Sequence, residues 1–396
     1  MASSPQPGEK RKAEGISSDA PLDNIVDIDE IGGDLVLVVG ADLVGSSSKL
    51  FNVEKTVAFR VDYKTLARNS SVFRTMFDTK SDNYKPGTSE VGWTEHLPDD
   101  SPAGLEFLFF IAHYGGFNKL PQKQSFQEVF EIAAMAYKYD MLSLLDGRAK
   151  SWFAQNPYDS APIPSSLLVS SNVKTIQQAL IIAWDLGKPS LFLGLTERVI
   201  CDSYVSNGKL SLYGKHLEDP DFQISTASIR KLPQLLIPTF NENYANMKWA
   251  EYWTTARARA LNSICEAVHD FTQQLLGTKA LGPSEKCPNH VSQNVEGQIC
   301  ESVALGTLMK ALAKRGEWPL PEPQHRDEWT VNSIVSAWSS VEVRGFSDTI
   351  QKRHRKYNCD WTSGLRKRIK EAASIISMIE KDVPDSMKER ASLAGL

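Results

Sequence analysis

Cysteine is scarce in this chain: five in 396 residues, at positions 201, 265, 287, 300 and 359, with no C-x-x-C pair. An odd, scattered set makes no disulfide framework and fits a reducing compartment. Long apolar runs are also missing, and no stretch approaches the ~18 residues of a membrane-spanning helix. The polar N-terminus, MASSPQPGEKRKAEG, lacks the apolar core of a secretory signal. Together these absences predict a soluble protein of cytosol or nucleus. No sign of charge dominates: the net charge is −4, so the chain as a whole is no polyanion binder. Catalytic signatures are lacking as well. There is no G-x-S-x-G, no H-E-x-x-H and no EF-hand loop, so the expectation is a protein that is not an enzyme and carries no cofactor. The nearest approach to a P-loop is Gly40, Gly45 and Ser47 at G-x4-G-x-S spacing. Ser46 stands where the phosphate-binding lysine belongs, and the residues after Ser48 have strand character rather than helix character. A plain turn is the better reading.

What is present centres on Gly33 to Phe77. Leu35 to Val39 is a run of five apolar residues closed by Gly40, the pattern of a buried strand. Gly45 and Ser46–Ser48 mark a turn. Leu50, Val53, Val57, Phe59 and Val61 predict a second extended stretch, the hairpin partner of the first. Asp62 is placed to cap a short helix bearing Leu66, and Ser70 or Ser71 to cap the next, where Phe73, Met76 and Phe77 share a face. A polar loop turning at Lys85-Pro86-Gly87 leads to Val91, Trp93 and Leu97, a further strand. Ser101-Pro102 opens a helix through Leu105, Leu108, Phe109 and Ala112, ended by Gly115-Gly116. His113 lies beside that apolar face. With no second ligand a turn away, it reads as a packed or surface histidine. Phe126, Val129, Phe130, Ala133, Ala136 and Tyr137 form one stripe, and Met141, Leu144, Leu145, Ala149 and Trp152 a second, as in a tight helical hairpin.

This order carries a resemblance. The segments LARNSSVFRTMF, LPDDSPAGLEFLFFIAHYG and VFEIAAMAYKYDMLSLL, behind two strands, resemble the BTB/POZ domain, in particular that of BTB proteins of filamentous fungi. The family's L-x-x-x-S-x-x-F-x-x-M-F box is matched by Leu66, Ser70, Phe73, Met76 and Phe77. Its helix box is matched by Ala134 or Ala136 with Tyr137, Tyr139, Met141 and Leu144. The resemblance covers about Gly33 to Phe153. It implies an α+β fold, a small sheet capped by helical hairpins with the box packed beneath the sheet. It further implies a non-enzymatic protein–protein interaction adaptor. Such domains commonly self-associate as homodimers, and some recruit cullin-type ubiquitin-ligase scaffolds. Ubiquitin-ligase recruitment and transcriptional regulation are therefore the expected settings. The stretch DNIVDIDEIGG ahead of the first core strand is too short and too acidic for a good amphipathic helix, and no kelch repeat or C2H2 finger follows.

The resulting domain plan has five parts. Residues 1–31, rich in Ser, Pro, Gly and acidic residues, read as a disordered tail. Lys10-Arg11-Lys12 there is a weak candidate for a nuclear import signal against the plainer reading of a solvated tail. Residues 32–153 form the BTB/POZ domain, and 154–171, rich in Pro and Ser, a linker. Residues 172–285 form a helical extension: Ile176, Ala179, Leu180, Ala183 and Trp184, then Leu191 to Ile200, then a long helix from about Asn241 to Leu276, with a polar loop around Gly208–Asp221 between. Residues 286–396 form a helical C-terminal domain with Cys/His pairs and a basic helix.

That last part holds the only candidate metal ligands. Cys287 and His290 form C-x2-H, and His354 and Cys359 form H-x4-C. Four such ligands suit a structural zinc. Some sixty residues separate the pairs, and buried cysteines with surface histidines are the plainer reading. Trp318-Pro319-Leu320-Pro321-Glu322-Pro323 reads as a rigid connector or, less readily, a ligand for a proline-binding domain. From Arg344 to Lys370, nine Lys or Arg face two Asp, a local charge of +7. Arg366, Lys367, Arg368 and Lys370 stand opposite Leu365, Ile369, Ala373 and Ile376. A solvated face is the plainer reading. The functional one is a nuclear regulatory protein whose basic helix contacts DNA or an acidic partner, with nucleic acid the weaker candidate.

Overall fold

Leu35–Val39 is a strand with every side chain buried. Five consecutive apolar residues demand cover on both faces, which puts this strand inside its sheet. It is β2, preceded by β1 (Ile25–Asp27) and followed by β3 (Val57–Val61). The structure, a computed structural model, describes residues 25–28, 33–45, 51, 53–78, 93–114, 120, 123–153, 163, 172–216, 249–277, 295–320, 327–345 and 361–374. The chain falls into two compact units, Met1–Leu120 and Pro121–Leu396. The fold is mixed α+β, with a small four-stranded sheet near the N-terminus.

In the first unit, β3 is followed by α1 (Tyr63–Asn69), α2 (Ser71–Met76), β4 (Trp93–Leu97) and α3 (Pro102–Tyr114). The sheet order is β1-β3-β2-β4. The β2–β3 pair is antiparallel with Leu37 opposite Phe59, as the hairpin expectation required. On the other side β4 runs parallel to β2, with Leu37 opposite Glu95.

The strand β1 lies inside the stretch expected to be a disordered tail, so that expectation fails for Ile25–Asp27. It pairs parallel with β3, Ile25 opposite Ala58 and Asp27 opposite Arg60. Ile28 is wholly buried, and its N–H donates to Arg60 O at 3.0 Å. Gly33, two residues before β2, lies close against the end of β3. A Cβ on Gly33 would lie 2.7 Å from Arg60 Cγ and 2.9 Å from the Val61 backbone nitrogen.

The caps fall where local chemistry placed them. Asp62 accepts from the amides of Lys64 and Thr65, and Ser70 from that of Phe73. Ser101 Oγ accepts from Gly104 N–H at 3.1 Å, and Pro102 is the first residue of α3. Gly40 sits at φ +84° and Gly45 at φ +71°, a turn ahead of β3. Among the described residues no helix follows this turn before β3, so no helix N-terminus there faces an anion.

In the second unit α4 (Phe126–Lys138) begins with a capping box, Ser125 and Glu128 each accepting from the other's amide. A 3₁₀ turn (Leu142–Leu145) and α5 (Asp146–Trp152) follow, then α6 (Val173–Asp185) and α7 (Pro189–Asp202). The helical-hairpin expectation needs adjustment: α4 packs chiefly on α6, and α6 on α7. The division of the chain at Leu120 also precedes α4, whereas the sequence plan carried the first domain to Phe153. Within the expected linker, Ile163 is 2 % exposed and bridges to Phe153, so this residue is core.

The described part of the polar segment expected to be loop, up to His216, belongs instead to a small sheet. Strands β5 (Tyr204–Ser206), β6 (Lys209–Leu212) and β7 (Lys215–His216) form an antiparallel meander. Its two turns carry positive φ at Asn207-Gly208 and Tyr213-Gly214, the conformation that tight hairpins require.

Among the described residues the remaining helices are α8 (Trp249–Leu275), α9 (Val295–Ala313), α10 (Val331–Ser339) and α11 (Trp361–Ala373). They share one core. Ala260, Ile264, Val268 and Phe271 of α8 meet Cys300, Ala304 and Leu308 of α9, Trp338 of α10, and Trp361, Leu365 and Ile369 of α11.

Candidate interaction surface

The box residues of the first unit build one aromatic cluster. Leu66 and Phe73 are wholly buried, Phe77 is nearly so, and Met76 is half-buried. Phe73 stacks on Phe77 at 5.5 Å and meets Phe109 of α3 at 6.1 Å. Phe77 meets Trp93 of β4 edge-on at 5.0 Å, and Phe109 meets Phe59 of β3 at 5.7 Å. Burying each such ring contributes about 1.5–3 kcal/mol. The cluster ties the two short helices to β3, β4 and α3, so it fixes the sheet's shape rather than a cavity.

His113 is a structural residue. Its Nε2 accepts from Asp62 N–H at 3.0 Å, so Nδ1 carries the proton and donates to Phe109 O at 2.8 Å. Tyr114 adds a hydrogen bond from its hydroxyl to Ile28 O, joining the end of α3 to the segment after β1. Burial raises the Asp62 carboxyl. Hydrogen bonds from the Thr65 hydroxyl and the Thr65 and Lys64 amides outweigh burial and hold it below its usual value.

Along the sheet edge formed by β4, Trp93 and Leu97 are buried, Thr94 and Glu95 half-buried and His96 exposed. Trp93 Nε1 donates to Glu95 Oε1 at 2.9 Å. Among the described residues no strand pairs with the outer side of β4. An open edge of this kind can receive an extended peptide through main-chain hydrogen bonds.

The second unit places the basic residues on an outer face. On α11, Arg366, Lys367 and Lys370 are exposed and Arg368 is half-buried over the Phe271 ring at 5.5 Å, while Trp361, Leu365, Ile369 and Ala372 are buried. The proposed zinc ligands Cys287, His290, His354 and Cys359 lie outside the described residues, as do Lys10-Arg11-Lys12 and the prolines after Leu320. Cys265 and Cys300 are buried in the helical core, and among the described residues no three potential ligands gather for a metal. Burial, with the carboxylates of Glu197 and Asp202, pushes the Cys201 thiol up to about 12, which leaves it without thiolate character at neutral pH.

Two polar constellations escaped the sequence reading. Arg257 of α8 is 3 % exposed, and burial draws its guanidinium below its ordinary value, with Asp327 opposing. It donates to Ser203 O at 3.0 Å, Asp327 O at 2.7 Å and Trp329 O at 2.6 Å, fastening the end of α7 and the approach to α10 onto α8. Asp202 accepts from the Tyr213 hydroxyl, from Arg198 Nε at 3.4 Å and from Asn332 Nδ2 at 2.7 Å. The dipeptide Asn207-Gly208 was the available signal for the hairpin that brings Tyr213 there. Nothing local marks Arg257.

The architecture is that of a mixed α+β protein whose first unit is a small sheet wedged by short helices. No protein-family model matches the chain, and neither does any curated protein or solved structure. Among the described residues no helix is long and apolar enough to cross a membrane.

Proposed function

We propose that this chain is a non-enzymatic interaction adaptor of the BTB/POZ type, holding another protein on the surface of its N-terminal unit. One observation supports the reading above others. The order strand, antiparallel strand, two short helices, parallel strand, helix runs from Leu35 to Tyr114 with the Leu66/Phe73/Phe77 box packed against the sheet. That is the arrangement the sequence resemblance implies. The outer side of β4, which pairs with no strand among the described residues, supplies main-chain donors and acceptors for a partner. A cullin-type scaffold and a second copy of the chain are the partners the resemblance implies, in cytoplasm or nucleus.

The test is affinity purification with the full chain beside residues 121–396. The expected result is loss of every specific partner from the shorter chain. Retention of the same partners would move recognition to the second unit and end the adaptor reading of the first. Titration of the purified full chain with a cullin N-terminal domain separates ligase recruitment from other adaptor roles.

A second reading rests on the exposure of Arg366, Lys367 and Lys370 along one side of α11. It assigns this helix to an acidic partner or to DNA. Binding to duplex DNA that falls steeply as salt rises, and that is lost on neutralising these three residues, is its expected signature.

A further inference from the structure

Two arginines from distant parts of the second unit converge on the end of α10. Arg315, just past α9, donates through Nη2 to Ser340 Oγ at 2.8 Å. Arg366 of α11 donates through Nε to the carbonyl oxygen of Ser339 at 2.6 Å. Both arginines are exposed, and among the described residues neither has a carboxylate partner. The nearby Glu342 is taken by Arg344 at 3.1 Å. A guanidinium offers five N–H donors, and each of these two spends one on the bonds described. One guanidinium is held at Ser340 Oγ and the other at the carbonyl oxygen of the preceding residue, so a dianion carried on Ser340 would be attracted by both.

We propose that Ser340 is a modification site built to carry a phosphoryl group clamped by Arg315 and Arg366. Ser340 is exposed at the C-cap of α10, open to a modifying enzyme. The donor is a nucleoside triphosphate brought by a protein kinase. Ser340 Oγ attacks the γ-phosphorus, and the Oγ–P bond forms as the bond to the bridging oxygen breaks. The nucleoside diphosphate departs, and the hydroxyl proton passes to the kinase's base.

The arginines decide the sign of the effect. A helix C-terminus carries partial negative charge, so phosphate there is unfavourable by itself. Ser340 Oγ also gives up its bond to Ala337 O, now 2.6 Å. Charge-assisted bonds from two guanidiniums outweigh both losses. The phosphoryl group then links the ends of α9 and α10 to the middle of α11, helices that already share a core.

The experiment places phosphoserine at position 340 of the full chain during translation. With the arginines intact, the melting temperature is expected to rise by about 2–4 °C. In the R315Q/R366Q background the same modification is expected to lower it. Phosphorus NMR gives a second readout that needs no variant. The second ionisation of phosphoserine, ordinarily near pH ~6, is expected to fall in the folded chain and to return in urea. An unchanged or lower melting temperature with both arginines present overturns the proposal, as does ionisation at or above the ordinary value. Equal stabilisation of the unmodified chain by inorganic phosphate alone would assign the clamp to a free anion and overturn the modification.

Discussion

At the scale of single residues, conformation and charge each yield a quantity to measure. Gly33 has no room for a Cβ because the Val61 backbone nitrogen stands 2.9 Å away. Backbone must move, so Gly33→Ala is expected to cost about 1–3 kcal/mol. Gly45 has φ +71° but nothing within 4 Å of its absent Cβ, so Gly45→Ala meets only left-handed strain, about 1–2 kcal/mol. Urea midpoints measure both. A neutral Gly33→Ala would mean that the contact of Gly33 with β3 is not tight. Asp62 supplies a pH test. Its carboxyl is held below the usual range in the fold, so its stabilisation is present above the unfolded value, about pH 3.9, and is lost as pH falls through the folded value. Asp62→Asn keeps a capping oxygen and removes the titration. Its urea midpoint is expected to lie below that of the parent at pH 6, with the gap narrowing as pH falls below the unfolded carboxyl's range. A constant gap would assign the effect to packing.

The difference between local and long-range information appears among the elements. The strand β2 was legible because five apolar residues in a row leave few alternatives. The caps at Asp62, Ser70 and Ser101 were legible because a cap bonds within three residues of itself. Strand β1 was not legible: three residues in an acidic segment become a strand only because Ala58–Arg60 accept them. The meander at 204–216 was missed because its strands are two to four residues long and hold Lys209, Ser211 and Lys215. Arg257 was invisible for another reason. Its acceptors lie 54, 70 and 72 residues away in the chain. Removing a charged group that satisfies three carbonyls, as in Arg257→Met, is expected to destabilise the second unit by about 3 kcal/mol. A thermal melt with a loss under about 1 kcal/mol would show that water replaces the guanidinium.

For the whole molecule, the division after Leu120 has an experimental consequence. Each unit has its own buried core: the aromatic cluster around Phe73 in one, and in the other the helical core that holds Ile264 and Trp338. Residues 121–396 alone are expected to unfold cooperatively, with a melt reproduced in the full chain. Residues 33–153 take α4 away from α6, which covers its buried face, and are expected to be less soluble and less cooperative than residues 1–120. The reverse ranking would return the boundary to Phe153. The candidate surface follows the same division. Its box and its strands were present as a pattern, whereas the place of β4 as the outer strand of the described sheet became definable only once β4 was seen beside β2.

The sequence by itself determined the periodic and the capped elements: β2, β3, α3, α4, α6 and the basic face of α11. Each depends on residues a few positions apart, where hydrophobic spacing and hydrogen-bond reach act directly. Only the tertiary structure decided that Ile25–Asp27 joins the sheet, that α4 belongs with α6, and that Arg257, Arg315 and Arg366 act on backbone or hydroxyl groups far along the chain. The physical reason is that a buried edge or an arginine fork bonds whatever the folded chain brings within about 3 Å, and no local pattern states what that will be.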